Sequence, residues 1–353
     1  MKKVFVGLSG GVDSAVSAAL LKRAGFDVTG IFIRIVLPGY PCPAVQDRQE
    51  AMRVAAHVRI PFREIDLSEA YKKKVFDYSI GEFALGRTPN PDTLCNREVK
   101  FGLFFDYAMA EGADLVATGH YAQTVSENTC TELHASVDTE KDQSYFLWMV
   151  PEKQLSKTLF PVGDKKKSEV RHLAKKFGLP NARRKDSQGL CFLGNISMGD
   201  MLARELHPHP GDVLGKDGKS VGRHDGAILY TLGQRHGFTL SNNLHAEQLP
   251  HYVIAKDIAA NTITVSDNKY PQDRTATDIS LSDCNWIGEV LSGEYLARFR
   301  YRQTLISTSL TLGRYGAKAT LHAPHYIPEG QSFVLYDGSR CLGGGVVDKS
   351  ALI

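Results

Sequence analysis

Apolar and polar positions follow two patterns that change near residue 195. Residues 3–8 form a short run rich in Val and Phe with little alternation, as a strand buried on both faces requires. A helix-compatible segment follows at 14–24 and is closed by Gly25. The alternation then recurs, predicting strands at 28–33, 62–66 and 114–118 and helices at 46–58, 68–83 and 97–111. Strands alternating with helices imply a parallel sheet covered on both faces.

Beyond residue 195, Gly and Pro punctuation (Pro208, Pro210, Gly211, Gly215, Gly222, Gly226, Gly233, Gly237) separates short strand candidates at 227–231 and 252–256. That is the pattern of a small connecting domain. From about 269, alternating runs dominate: Ala297-Arg298-Phe299-Arg300-Tyr301-Arg302, then 307–312, 317–322, 332–336 and 341–347. Regular short strands with turn signals predict a small β-barrel. The expected fold is α/β plus β, with domains at 1–196, 197–268 and 269–353.

Composition adds limits. The chain has 353 residues, 42% hydrophobic and 23% charged, which excludes a disordered chain and a single small module. The apolar stretch at 4–8 is too short for a signal peptide or a membrane span, so a cytosolic protein is expected. Six cysteines (Cys42, Cys95, Cys130, Cys191, Cys284, Cys341) are widely spread without a C-x-x-C pair, which fits neither a zinc knuckle nor a disulfide scaffold.

The formal charge of +3 conceals a concentration. Between 165 and 185 stand nine Lys or Arg (165, 166, 167, 171, 175, 176, 183, 184, 185) against one acid, Glu169. The segment carries +8 and the remainder −5. Such a run is either a solvated helix face or the footprint of a polyanion partner.

The first strand leads into Ser9-Gly10-Gly11-Val12-Asp13-Ser14 and a helix. Glycines let the backbone approach a ligand closely, the serines offer hydroxyls, and amides at a helix start favour an anion. The loop has neither the G-x-x-x-x-G-K-[ST] of a Walker loop nor the G-x-G-x-x-G of a dinucleotide fold. By physics alone it is a phosphate cradle or a tight packing turn.

The loop resembles the SGGxDS signature of the PP-loop ATP pyrophosphatases, an adenine nucleotide α hydrolase-like fold whose members split ATP into AMP and pyrophosphate. Further segments resemble the tRNA-specific 2-thiouridylases of that superfamily: 90–102 (NPDTLCNREVKFG), 118–122 (TGHYA), 141–147 (KDQSYFL), 186–194 (DSQGLCFLG), 230–235 (YTLGQR), 300–303 (RYRQ) and 330–332 (GQS). They span nearly the whole chain in the family's order.

The resemblance implies a transferase that makes 2-thiouridine at the wobble position of tRNAs for Lys, Glu and Gln. The C2 oxygen of uridine is a poor leaving group, so ATP would activate it by adenylation, with Mg2+ balancing phosphate charge, and a cysteine persulfide would deliver sulfur. Carried over residue by residue, Cys191 is the persulfide carrier and Cys95 the nucleophile, with a Cys95 to Cys191 disulfide closing the cycle. Asp92 meets the target base, as general acid or base. ATP is assigned to Gly7, Leu8, Ser9, Gly10, Gly11, Val12, Asp13, Ser14, Ile33 and Gly119. Asn90, Pro91, Asp92, His120, Lys141, Asp142, Gln143, Arg300, Tyr301 and Gln331 are assigned to tRNA.

The basic run then reads as the phosphate-contacting surface, and Arg300 with Tyr301, on a barrel strand, as a phosphate contact beside a stacking face. Partners implied are tRNA and a sulfur-relay protein fed by a cysteine desulfurase, with a monomer expected. Each residue also has a plain reading: a buried small hydrophobe for a cysteine, a turn residue for Asp92, a structural role for His120. Two alternatives use the same residues, an iron-sulfur cluster on Cys95, Cys191 and Asp92, or a tRNA-holding protein with an inactive loop. A glutaminase or amino-acid site, which an amidotransferase or ligase needs, has no motif here. Residues 34–46 depart from the family, which usually has a longer acidic stretch before a cysteine, and the role of Cys42 is left open.

Overall fold

The computed structural model describes residues 1–41, 44–127, 130–186, 192, 194, 196–241, 250–269, 276–314 and 316–350. In chain order the first part comprises β1 (Lys3–Gly7), α1 (Val12–Arg23), β2 (Asp27–Arg34), α2 (Ala44–Val58), β3 (Phe62–Asp66), α3 (Ser68–Tyr71), α4 (Tyr78–Ala84), α5 (Pro91–Cys95), α6 (Phe104–Ala110), β4 (Leu115–Ala117), β5 (Ala122–Glu127), β6 (Cys130–Ala135), α7 (Glu152–Leu155), β7 (Thr158–Leu159) and α8 (Lys167–Lys176). π-Helical turns at Lys72–Asp77 and Asn96–Leu103 join α3 to α4 and α5 to α6.

Strands β3-β2-β1-β4-β7 form a parallel sheet in that order. Val4, Phe5 and Val6 in β1 are fully buried because helices cover both faces, the reason the run does not alternate. The chain leaves β1 toward β2 on one side, while β4 pairs on the other, so the carboxyl ends of β1 and β4 flank the point where the winding reverses. Ligands of open α/β sheets bind there.

α9 (Met198–Leu206) leads into a second sheet of β8 (Gly211–Leu214), β9 (Ser220–His224), β10 (Phe238–Leu240), β11 (Tyr252–Asp257) and β12 (Thr262–Ser266), ordered β10-β9-β8-β12-β11. The strand expected at 227–231 is instead a 3-10 turn, Ala227–Leu229. Gly226 (φ 138°) redirects the chain there and Asn261 Oδ1 accepts the Ala227 N–H at 3.0 Å, so Ala227 reaches the small core from a turn.

The last six strands are β13 (Ala276–Trp286), β14 (Gly293–Arg298), β15 (Ile306–Leu312), β16 (Ala317–His325), β17 (Ser332–Asp337) and β18 (Arg340–Ser350). They close as an antiparallel barrel, β13-β16-β15-β14-β17-β18, through pairing of β13 with β18. The β5–β6 hairpin extends this sheet, with Arg340 opposite His134 and Cys341 opposite Leu133. One core runs from Phe5 and Phe104 through Trp148 to Val334, Tyr336 and Cys341, so the barrel and the α/β part share a hydrophobic interior.

Candidate functional site

The loop after β1 is closed by its own side chains. Ser9 N–H donates to Ser14 Oγ at 3.3 Å, Gly11 N–H donates to Ser9 Oγ at 3.3 Å, and Ser14 Oγ donates to Gly11 O at 3.1 Å. Gly10 has φ 77°, and a Cβ there would lie 2.5 Å from Asp47 O. Outside the loop, Asn181 Nδ2 donates to Gly10 O at 2.8 Å and Arg184 Nη1 to the same oxygen at 3.2 Å. Behind β4, a Cβ on Gly119 would stand 2.6 Å from the Ser14 amide nitrogen. The two glycines let the loop pack directly against the backbone of Asp47 in α2 and let the turn after β4 pack against the start of α1.

A cavity of about 740 Å³ opens above these loops. Of the residues expected to hold ATP, Gly7, Leu8, Ser9, Gly11, Val12, Asp13, Ser14, Ile33 and Gly119 line it; Gly10 stands behind it through its carbonyl contacts. His120, Lys141, Gln143 and Tyr301 line it too, joined by Lys100, Phe104, Phe192 and Arg302. Gln143 braces the β4 loop, accepting the Tyr121 N–H at 2.9 Å and donating its own N–H to Tyr121 O at 2.7 Å.

His120 is buried, its Nδ1 2.7 Å from the Thr118 hydroxyl and its Nε2 3.4 Å from Lys100 Nζ. Burial, reinforced by the Lys100 charge, holds its pKa well below the ordinary 6.5, so the imidazole is neutral. Asp13 is paired with Lys167 at 2.8 Å and accepts the Tyr121 hydroxyl at 2.8 Å. Burial and the Asp13 carboxylate raise the Tyr121 pKa, so it remains a donor. Asp186 gathers Lys167 at 2.9 Å, Lys141 at 3.2 Å and Arg171. Burial raises its pKa, but the hydrogen bond and charge of Lys167, followed by Lys141 and Arg171, outweigh that and hold it at about 2.

Asn90 caps α5, its Oδ1 accepting the Thr93 N–H at 3.2 Å, with Pro91 in the first turn. Asp92 follows in the first turn, and Cys95, fully buried, ends the helix. Cys191 and Cys42 lie outside the described residues. Gln331 Nε2 donates to Thr88 O at 3.1 Å, fastening the barrel to the segment that leads into α5.

Three expectations are corrected. Arg300 and Tyr301 do not lie on a barrel strand: β14 ends at Arg298, and the chain turns through Arg302 at φ 60°. Arg300 Nη2 then donates to Leu232 O at 3.2 Å, tying barrel to central domain, and the Tyr301 ring packs 4.7 Å from Phe146 at the cavity wall. The basic run is not one solvated surface. Lys166, Lys175, Lys176, Arg183 and Lys185 are exposed, but Lys167, Arg171 and Arg184 turn inward onto Asp13, Asp186 and Asp47. The Asp142 side chain is 4% exposed and saturated by internal donors, which puts it under the surface rather than on it. Sequence reasoning missed Lys167, Arg184 and Asp186 as members of the site. The signal for Lys167 and Arg184 was membership of a charge run, which does not say which side chains face in, and Asp186 was visible only as the first residue of the 186–194 segment.

A parallel sheet with a Ser-Gly-Gly loop at its winding reversal defines a PP-loop α/β protein, here carrying two appended β modules. The family described as "tRNA methyl transferase HUP domain" matches residues 2–195, "tRNA methyl transferase PRC-barrel domain" 199–267 and "Aminomethyltransferase beta-barrel domain" 276–347. Over 358 aligned positions the chain is 40% identical to the tRNA-specific 2-thiouridylase MnmA of Enterococcus faecalis, covering 99% of this chain and 96% of that one. It is 40% identical over 356 to the protein of that name from Streptococcus equi subsp. zooepidemicus, covering 99% and 95%. The chain belongs to the tRNA-specific 2-thiouridylase (MnmA) family. Among solved structures, NMN synthetase from Francisella tularensis matches at 20% identity and TM-score 0.34, covering 56% of this chain and 71% of that one. A 4-thiouridine synthetase–RNA complex with bound ATP matches at 17% and 0.36, covering 56% and 46%.

Proposed function

We propose that this protein is a tRNA-uridine 2-sulfurtransferase that uses ATP to replace the C2 oxygen of the wobble uridine in tRNAs for Lys, Glu and Gln. The observation that carries this reading is one cavity shared by two kinds of group. The Ser9–Ser14 loop and Gly119 line one part; neutral His120, Lys100, Phe192 and Tyr301 line another. A nucleotide and a splayed-out base could meet there, as chemistry on a base in an anticodon loop demands.

ATP is the activating substrate, held by the loop and by Gly119, and its α-phosphate receives the uracil O2. Mg2+ would travel with the phosphates. Such an ion would be held mainly by phosphate oxygens and water. Asp92, in the first turn of α5, is assigned the base proton, and Cys95 at the other end of α5 is assigned as the sulfur-transfer partner of Cys191. Lys141, Gln143, Tyr301 and, through backbone anchorage, Arg300 and Gln331 shape the tRNA side.

No helix among the described residues is long and apolar enough to cross a membrane. The reading assigns the enzyme to the cytosol, as a monomer fed by a sulfur-relay protein. The test is thiolation of an unmodified Lys-tRNA transcript with ATP, Mg2+ and a persulfide donor, using wild type, Cys95→Ser and Cys191→Ser in air and under nitrogen. ATP-dependent product that needs both cysteines and forms in air is expected. Firm tRNA binding without product under either atmosphere would reduce the protein to a tRNA-holding role; product only under nitrogen with bound iron would replace the persulfide by a cluster.

A further inference from the structure

A triphosphate brings several negative charges, yet the Ser9–Ser14 loop offers only amides and hydroxyls. Glycine-rich loops of the Walker type carry their own lysine; this one does not, so its cations must come from elsewhere in the chain. Six cationic side chains line the cavity (Lys100, Lys141, Lys167, Arg184, Lys185 and Arg302) against three carboxylates, Asp13, Asp47 and Asp186. Two of the six reach the loop itself. Lys167, the first residue of α8, places Nζ 2.8 Å from both oxygens of Asp13, in the first turn of α1, with its side chain only 14% exposed. Arg184 donates to the carbonyl of Gly10 and pairs with Asp47.

These pairs are built so that Lys167 can let go. Asp186, its second partner, is also held by Lys141 at 3.2 Å and by Arg171, and Asp13 keeps the Tyr121 hydroxyl at 2.8 Å. Asp186 keeps two cations when the ammonium turns to another anion, and Asp13, with its side chain 30% exposed, keeps a hydroxyl donor and access to water, which limits the cost of unpairing it. Anions are favoured at the start of α1 by its unpaired amides, close to where Asp13 now holds the lysine.

We propose that Lys167, assisted by Arg184, grips the β- and γ-phosphates of ATP, exchanging Asp13 for phosphate oxygens and neutralising pyrophosphate as it departs. The inference rests on the ATP-dependent reading above. As the bond from uracil O2 to the α-phosphorus forms, the bond from that phosphorus to the bridging oxygen breaks. Its electron pair leaves on pyrophosphate, where the Lys167 ammonium meets it, and the uracil N3 proton passes to Asp92. Positive charge aimed at a leaving group stabilises the transition state more than the ground state.

The experiment is equilibrium binding of ATP, AMP and inorganic pyrophosphate, each with Mg2+, to the full chain by calorimetry. Lys167→Met should weaken ATP and pyrophosphate at least tenfold and AMP less than twofold, Lys167→Arg should restore most of the loss, and Arg184→Met should show the same selectivity. Equal losses for AMP and ATP would make Lys167 a mere brace for Asp13 and overturn the assignment, as would unchanged ATP affinity in a folded Lys167→Met protein. Wild type that binds tRNA but none of the three phosphates would overturn the ATP reading itself, and this proposal with it.

Discussion

The guanidinium of Arg298, the last residue of β14, is paired with the carboxylate of Asp142 beneath the cavity wall, at 10% and 4% side-chain exposure. Asp142 also accepts the Ser136 and Ser144 amides at 3.1 Å each and the Ser144 hydroxyl at 3.0 Å, while Arg298 donates to the Tyr336 hydroxyl at 2.7 Å. Lys141 and Gln143, on either side of Asp142, both reach the cavity. The barrel is therefore pinned to the segment that shapes the site.

Breaking that pair strands a buried charge. Arg298→Met should cost about 3–5 kcal/mol of unfolding free energy in urea melts. The double variant Arg298→Met with Asp142→Asn should recover part of it, because the second change removes the charge left behind. A single-variant loss below about 1 kcal/mol would show that the joint does not depend on this ion pair.

Gly119→Ala places a Cβ 2.6 Å from the Ser14 amide nitrogen, a backbone atom that cannot swing aside. ATP affinity should fall at least tenfold, with tRNA affinity unchanged by filter binding and stability reduced by about 1–3 kcal/mol. Normal ATP binding in this variant would mean that the loops behind β1 and β4 do not jointly hold the nucleotide.

Neutral His120 gives stability a definite pH dependence. Its folded pKa lies well below 6.5, so in acid the unfolded chain binds a proton that the native state does not. Stability attributable to this residue is intact above about pH 6.5 and falls below it, at up to about 1.4 kcal/mol per pH unit. His120→Gln should flatten the difference between urea melts at pH 5.5 and 7.5; an unaltered difference would assign that dependence to other groups.

The basic run should divide by orientation. Charge reversal at the exposed Lys175, Lys176 and Arg183 is expected to weaken tRNA binding and to lower the salt slope by roughly one for each phosphate no longer neutralised. Reversal at Arg184 should instead damage the loop, because that guanidinium holds Gly10 O and Asp47. Identical salt slopes for wild type and the exposed triple variant would remove this face from the tRNA path.

Gln331→Ala removes the bond from barrel to Thr88 O and should cost about 1 kcal/mol. Thr88 leads into Asn90 and Asp92, so thiolation should fall further than global stability explains. Full activity would make this bond a matter of stability alone.

Local pattern along the chain was enough to find most elements and the nucleotide end of the site. Short apolar runs announced β1, β2 and β4, alternating runs announced the barrel, and a contiguous loop such as Ser9–Ser14 works through local backbone geometry that short-range pattern encodes. Which way a side chain faces, and what distant segment meets it, became visible only once the chain was folded. Lys167 and Lys175 stand in one run, yet one is pulled in by Asp13, 154 residues away, and the other remains in water. Arg298, read as one alternating strand residue among several, became the buried partner of Asp142. Arg300 and Tyr301, two and three positions on, lie beyond the end of the strand in the turn that passes through Arg302. Pairings over such separations are set by the closing of the whole core, and no local propensity carries that information.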